Sequence, residues 1–361
     1  MIHSILKKES LSKEDLIYLL SCSKDEEKVL FDHSEKLRIN TIGRNVYLRG
    51  LIEFSNICTK DCLYCGIRKS NTTIERFQVS KEEIVEAAEF AYKKGYGSIV
   101  LQSGERCDEL FIDTIDDILK KIKKISNNEL GITLSLGEQN KETYQRWFNS
   151  GAHRYLLRIE AADKNLYNKI HPNDENHLYS RRYECLKYLQ DIGYQTGTGV
   201  MIGHPFQTIE DLADNLLFFK KFDIDMVGMG PYVEHHDTPL YKYKDTLISQ
   251  KERLNLSLRM IACLRILMPD INIAAATALQ AIDPLGREKA VQIGANVIMP
   301  NITPTYKRKL YNLYENKPGG NEGKEEIHKL LIERLKQIDY CVPNDLWGDS
   351  KHYFERIKKG D

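Results

Sequence analysis

From residue 46 to residue 299 the chain repeats one unit, a short apolar run followed by an amphipathic helical stretch. The runs are Val46–Phe54, Ser98–Gln102, Ile132–Leu136, Arg154–Ile159, Gln195–Ile202, Met226–Met229, Ile271–Ala275 and Asn296–Met299. The helical stretches are Lys81–Lys94, Leu110–Ile125, Lys141–Asn149, Tyr179–Gln190, Ile209–Phe222, Gln250–Leu267 and Gly286–Ile293. Most runs are continuously apolar, the pattern of strands buried on both faces of a parallel sheet. Gly95, Gly151, Gly193 and Gly294 each follow a helical stretch, where a left-handed residue is wanted. Eight strands with seven helices between them are the count of a (β/α)8 TIM barrel, in the α/β class. An open doubly wound sheet shares the periodicity and is the alternative. In a barrel, functional groups belong at the C-terminal ends of the strands.

Around this frame, residues 1–45 read as an N-terminal helical cap. Its first helix is announced by Leu11-Ser12-Lys13-Glu14-Asp15, its second spans Asp25–Arg38. The barrel is expected over 46–315 and a C-terminal helical extension over 316–361. In that extension Asn316–Lys324 reads as a surface loop and Glu325–Ile338 as a helix. The tail through Trp347 and Phe354 is expected to pack across one barrel end. Acidic and basic residues balance at 52 each, which gives no reason to expect a nucleic-acid or anionic-membrane partner. No run approaches a membrane span, and the first residues are too polar for a signal peptide. Eight scattered cysteines suit a reducing cytoplasmic setting.

Three of those cysteines form a motif directly after the first run: Cys58, Cys62 and Cys65, spaced C-x3-C-x2-C. Three thiolates on one loop hold three irons of a four-iron, four-sulfur cluster, which ordinarily takes four cysteines. The next cysteine is the distant Cys107, so the fourth iron would be open to another ligand. Structural zinc wants four closed ligands, and a disulfide framework belongs to secreted scaffolds. Both, with chance clustering, stand as alternatives on spacing alone.

Other strand ends carry polar groups. Gln102-Ser103-Gly104-Glu105 follows the second strand, and its glycine lets backbone approach a ligand. Ser135-Leu136-Gly137-Glu138 follows the third, where helix capping is the strong ordinary reading. Alternation along the fourth puts Leu156, Arg158 and Glu160 on one side and Leu157 and Ile159 on the other. Arg158 and Glu160 then point together into the barrel mouth, where an unused charged pair is costly. Arg182 can meet a carboxylate bidentately, although a helical arginine is usually solvated. Met201 has core packing as its commoner fate. His235 and His236 are neighbours that point opposite ways, so loop contacts are favoured over a metal pair. Tyr311 and Tyr314 are spaced i, i+3, as packing residues on a helix would be, or as residues closing over a small substrate.

The C-x3-C-x-Tyr-C motif after a strand resembles the radical S-adenosylmethionine (SAM) superfamily. Within it, Glu53-Phe54-Ser55-Asn56, Cys65-Gly66-Ile67-Arg68, Leu101-Gln102-Ser103-Gly104-Glu105, Leu134-Ser135-Leu136-Gly137-Glu138, Arg154-Tyr155-Leu156-Leu157-Arg158, Asp225-Met226-Val227-Gly228 and Asn296-Val297-Ile298-Met299-Pro300-Asn301 look like the HydE-type maturases of FeFe-hydrogenase. Methylornithine synthase and biotin synthase are the nearest rival branches. They would make this a mutase or sulfur-inserting enzyme on a small amino-acid-like substrate. A non-catalytic iron–sulfur carrier is a third possibility.

The resemblance implies a barrel with one 4Fe-4S cluster on Cys58, Cys62 and Cys65, its open iron chelated by SAM. The reduced cluster would cleave SAM to a 5′-deoxyadenosyl radical. Tyr64, Ser103, Gly104, Glu105, Ser135, Glu160, Arg182 and Met201 are assigned to the cofactor by this resemblance. Gln102, Arg158, Thr277, Met299, Tyr311 and Tyr314 are assigned to the substrate cavity. The implied substrate is an organometallic iron–cysteine complex with carbonyl and cyanide ligands, destined for the diiron subcluster of the hydrogenase H-cluster. The implied partners are a tyrosine-cleaving maturase and a reducing electron donor. The sequence departs from the family at Ala161, Ala276, Gln139 and Asn140. Cys341 is the sole cysteine of the C-terminal region, so a second cluster is not expected.

Overall fold

A computed structural model describes residues 1–320 and 322–360. Nine parallel strands occur: β1 (Tyr47–Ser55), β2 (Ser98–Ser103), β3 (Gly131–Ser135), β4 (Arg154–Leu156), β5 (Gln195–Thr198), β6 (Met201–Ile202), β7 (Met226–Pro231), β8 (Asn272–Ala275) and β9 (Val297–Ile298). β1 pairs with β2 on one side and with β9 on the other, and β5 pairs with β7. The ring is therefore closed, an eight-position barrel rather than an open sheet.

The fifth expected strand is split into β5 and β6. A Cβ on Gly199, between them, would sit 1.8 Å from the Gly228 carbonyl oxygen. The register against β7 runs through the break unshifted, with Thr198 opposite Val227 and Met201 opposite Gly230. β4 is shorter than expected: the Leu157 N–H still reaches the Gly197 carbonyl of β5 at 2.9 Å, but the Ile159 N–H is satisfied by the Thr198 hydroxyl at 3.0 Å. Of the four helix-closing glycines, Gly95, Gly151 and Gly193 are left-handed at φ 74°, 106° and 102°. Gly294 is extended instead, at φ 177°.

Helices α1 (Ile2–Ile5), α2 (Lys13–Leu20) and α3 (Lys24–Ile42) precede the barrel. Around it run α4 (Lys81–Lys93), α5 (Glu109–Ile125), α6 (Lys141–Asn149), α7 (Lys164–Ile170), α8 (Tyr179–Ile192), α9 (Ile209–Phe222), α10 (Gln250–Leu267), α11 (Thr277–Ile282) and α12 (Gly286–Ile293). After β9 come α13 (Thr305–Arg308), α14 (Lys324–Gln337) and α15 (Lys351–Gly360). Reciprocal capping boxes start α2, α3, α4, α9 and α10, as at Ser80 with Glu83. The first helices pack on α9 and α10: Lys13 meets Asp214 at 2.7 Å, and Arg259 meets Glu27 at 2.7 Å.

Beneath the barrel, the segment before α15 forms a floor. The Gly348 carbonyl accepts from Arg49 at 3.1 Å and from Asn272 at 2.8 Å. Asp349 accepts from Arg154 at 2.8 Å and from Gln195 at 2.7 Å. These donors lie at or near the N-terminal ends of four strands. The tail therefore packs across one barrel end, as expected, through Trp347 to Ser350. Phe354 stays exposed. Among the described residues no helix is long and apolar enough to cross a membrane.

Candidate active site

At the opposite rim, β1 delivers the chain into the loop carrying Cys58, Cys62 and Cys65. Arg76 holds this loop from behind. It donates to the carbonyls of Asn56 (2.7 Å), Ile67 (2.7 Å), Arg68 (2.6 Å) and Asn71 (3.0 Å). One guanidinium thus satisfies loop carbonyls that no ladder reaches. The Gly66 N–H donates to the Leu313 carbonyl at 3.0 Å, and the Glu105 N–H approaches Cys58 Sγ at 3.3 Å. All three thiols face one cavity of about 320 Å³ in the barrel mouth. Burial pushes the Cys65 thiol up to about 12 and raises Cys58 and Cys62 as well. All eight cysteines are free, so no disulfide competes for the set. Three thiols with no fourth Cys or His on the loop suit a four-iron cluster with one open iron and leave a structural zinc incomplete.

Every residue expected at the site lines this cavity, from Tyr64, Met201 and Ser135 near the rim to Thr277, Met299 and Tyr314 on the far wall. Arg158 and Glu160 face one another as the alternation requires, Nε to Oε1 at 2.9 Å, while Leu157 and Ile159 join the core. Gln102 donates to Tyr311 Oη at 3.3 Å. Burial holds the Tyr311 and Tyr314 hydroxyls above the usual range, so both remain hydrogen-bond donors. Gly104 is required by contact: a Cβ there would lie 2.3 Å from the Ile57 carbonyl oxygen and 2.9 Å from Cys58 Cβ.

Several expectations change. Arg182 is buried rather than solvated; it donates to Glu138 and, at 2.7 Å, to the Arg158 carbonyl. Glu138 is no helix cap, since Asn140 caps α6 by accepting from the Thr143 N–H at 2.7 Å. Tyr311 and Tyr314 are not on a helix. α13 ends at Arg308, and the carbonyls of Leu310 and Leu313 are committed to Asn56 and Gly66 of the cysteine loop. The expected surface loop Asn316–Lys324, of which Asn321 lies outside the described residues, sends Lys317 inward. Its ammonium contacts both oxygens of buried Glu53, one at 2.6 Å, and the Tyr311 carbonyl at 2.9 Å. A buried carboxylate demands a counter-charge. His235 and His236 make loop contacts, with Asn312 at 3.2 Å and Glu315 at 2.9 Å, but they do not point opposite ways: their rings stack with centroids 4.8 Å apart.

Sequence reasoning missed Lys60 and Glu53. Lys60 Nζ lies 3.1 Å from Glu105 and 2.9 Å from Glu138, and with Arg182 these form a buried four-charge network. Burial pushes both carboxyls up. Arg182 and Lys60 outweigh it at Glu138 and hold that group below the usual range, whereas Glu105, pressed also by Glu138, stays above it. A lysine between two motif cysteines was the available signal.

The sequence model of the Radical SAM superfamily matches residues 52–219. With the closed barrel and the rim cysteines, it defines a radical SAM enzyme, whose cofactors are a 4Fe-4S cluster and SAM. The [FeFe] hydrogenase maturase subunit HydE of Thermotoga maritima is 42% identical over 98% of this chain and 97% of its own length. The chain belongs to that HydE family. The 3-methylornithine synthase of Methanosarcina acetivorans is 30% identical over 81% of this chain and 80% of its own. In fold, the crystal structure of methylornithine synthase (PylB) superposes with a TM-score of 0.81 at 23% identity. It covers 95% of this chain and 97% of that one.

Proposed function

We propose that this radical SAM enzyme is a hydrogenase maturase that acts on an organometallic iron–cysteine complex during assembly of the H-cluster diiron subcluster. The observation that carries the reading is the 42% identity to a HydE subunit over nearly the whole chain. The shared cavity supports it, because the residues assigned by resemblance all line one space.

In this reading Cys58, Cys62 and Cys65 hold the cluster, and together with SAM it supplies hydrogen-abstracting radical chemistry. Tyr64, Ser103, Gly104, Glu105, Ser135, Glu160, Arg182 and Met201 line the cofactor. The Lys60–Glu105–Glu138–Arg182 network fixes the wall against which SAM lies, and a pre-paired network spends little on reorganisation when charge arrives. Below it, Arg158 offers a cation to an anionic substrate, while Gln102, Tyr311 and Tyr314 donate hydrogen bonds. Thr277, Met299, Leu51 and Leu156 shape the floor of the chamber and exclude water.

The test is anaerobic. The chain is reconstituted with iron and sulfide, reduced, and substituted for HydE in a cell-free maturation of apo-hydrogenase with its partner maturases. Hydrogen evolution dependent on this chain is the expected result. SAM cleavage without maturation, combined with rearrangement of free lysine, would move the enzyme to the methylornithine synthase branch, which the 30% relative favours.

A further inference from the structure

Beside the reaction chamber lies a second cavity, of about 80 Å³, between α11, α12, the 317–319 loop and α14. It meets the chamber at Leu51, Thr277, Met299 and Lys317, which line both spaces. Nothing in the reading above uses it.

Its wall carries a guanidinium in an unusual condition. Arg287 is only 9% exposed, and its Nε finds no hydrogen-bond partner. The adjacent carboxylate, Glu288, is committed through Oε1 to Arg334 at 3.4 Å. The remaining oxygen, Oε2, is buried and unpartnered too. A buried guanidinium N–H without an acceptor is expensive, and so is a buried carboxylate oxygen without a donor. Burial drags the Arg287 pKa down, and Tyr314 of the chamber is close enough to act on it. Buried polar groups left unpaired call for an explanation, and beside a hollow they point to something that binds there.

We propose that this alcove is a binding site for a small α-amino acid, with Arg287 taking the carboxylate and Glu288 the ammonium group. The two groups are complementary to a zwitterion and to neither a simple anion nor a simple cation. The cavity is small, which restricts the ligand to a short side chain. An amino acid seated there would adjoin the chamber across Thr277 and Met299 without occupying it.

The test uses the reconstituted enzyme with SAM present and radiolabelled glycine as the probe, read by equilibrium dialysis. Saturable binding in the millimolar range is expected. Arg287→Met should weaken it by about tenfold or more, the loss of a charge-assisted contact. Arg158→Met, which alters the main chamber, should leave it within about twofold. Acetate, lacking the ammonium, should compete poorly. Thermal melting guards against misfolding: without glycine, Arg287→Met should melt no lower than the parent, because it removes a buried guanidinium whose Nε has no acceptor. Glycine binding that survives Arg287→Met, or that falls equally in Arg158→Met, overturns the assignment. So does a marked fall in melting temperature of ligand-free Arg287→Met.

Discussion

Arg158 and Glu160 meet at 2.9 Å across a single intervening residue, and Glu160 holds a left-handed backbone at φ 63° to do so. That conformation costs an ordinary residue about 1 kcal/mol or more. In the proposed function the pair divides the chamber, Glu160 serving the cofactor and Arg158 the substrate; both line the one cavity. Arg158→Ala should lower substrate turnover by about tenfold or more, while SAM cleavage without substrate changes by less than about threefold. Parallel assays of product and 5′-deoxyadenosine decide this, and equal losses would place Arg158 with the cofactor.

Cys62 is the most buried of the three motif thiols. Cys62→Ala should leave the circular dichroism of the barrel intact. Iron should fall below the roughly four atoms per chain of one cluster, and SAM cleavage should vanish. A variant that still cleaves SAM would remove the three-cysteine assignment.

Gly104 tests the cradle rather than the ligands. Gly104→Ala places a methyl against the Ile57 carbonyl and Cys58, so the loop must move away from β2. The expected result is a folded protein that loads iron poorly, measured as iron per chain after identical reconstitution. Full loading would mean that the loop yields at little cost.

Glu138 is shared by Lys60 and Arg182 inside the protein. Removing it leaves two buried cations to share the single carboxylate of Glu105. Glu138→Ala should destabilise the fold by about 3–5 kcal/mol, the range for a broken buried pair. Denaturant melts check this; a loss under about 1 kcal/mol would mean that water has replaced the carboxylate.

His352 ties α15 to the barrel through Asp270, 3.2 Å from Nδ1, and Asp223, 2.7 Å from Nε2. Burial pulls its pKa down, but the two carboxylates outweigh that and hold it above 6.5. The folded state therefore binds the proton more tightly than the unfolded one. The stabilisation is complete below about pH 6.5 and is lost as pH rises through the elevated folded value. Melting temperature should decline on that alkaline side, and His352→Gln should flatten the decline. An unchanged profile in the variant would assign the pH dependence elsewhere.

The barrel was legible because its local signals are redundant. Apolar runs, helix starts such as Ser80 with Glu83, and terminal glycines all recur at each βα unit. The cysteine loop was legible because it is contiguous. What stayed hidden depends on distant partners. Arg182 looks like any helical arginine until Glu138 arrives from another strand. Lys317 sits in a Pro/Gly-rich stretch that reads as surface, and only the buried charge of Glu53 draws it inward. The need for glycine at Gly199 likewise follows from how close β7 comes, which one chain segment cannot announce.

The barrel is closed by β9, a strand of two residues that pairs Val297 with Tyr47 and Ile298 with Leu48 of β1. These partners come from opposite ends of the barrel sequence, so forming this seam carries the largest loop-closure entropy of any strand pairing in the ring. The other neighbours in the ring, joined through one or two helices each, can assemble first from local contacts. Closure of β9 onto β1 is then the late, slow event of folding. The same seam is the first to part when the native protein breathes, and the amide proton of Tyr47, which donates to the Asn296 carbonyl, should exchange ahead of those in the middle of β2 and β3.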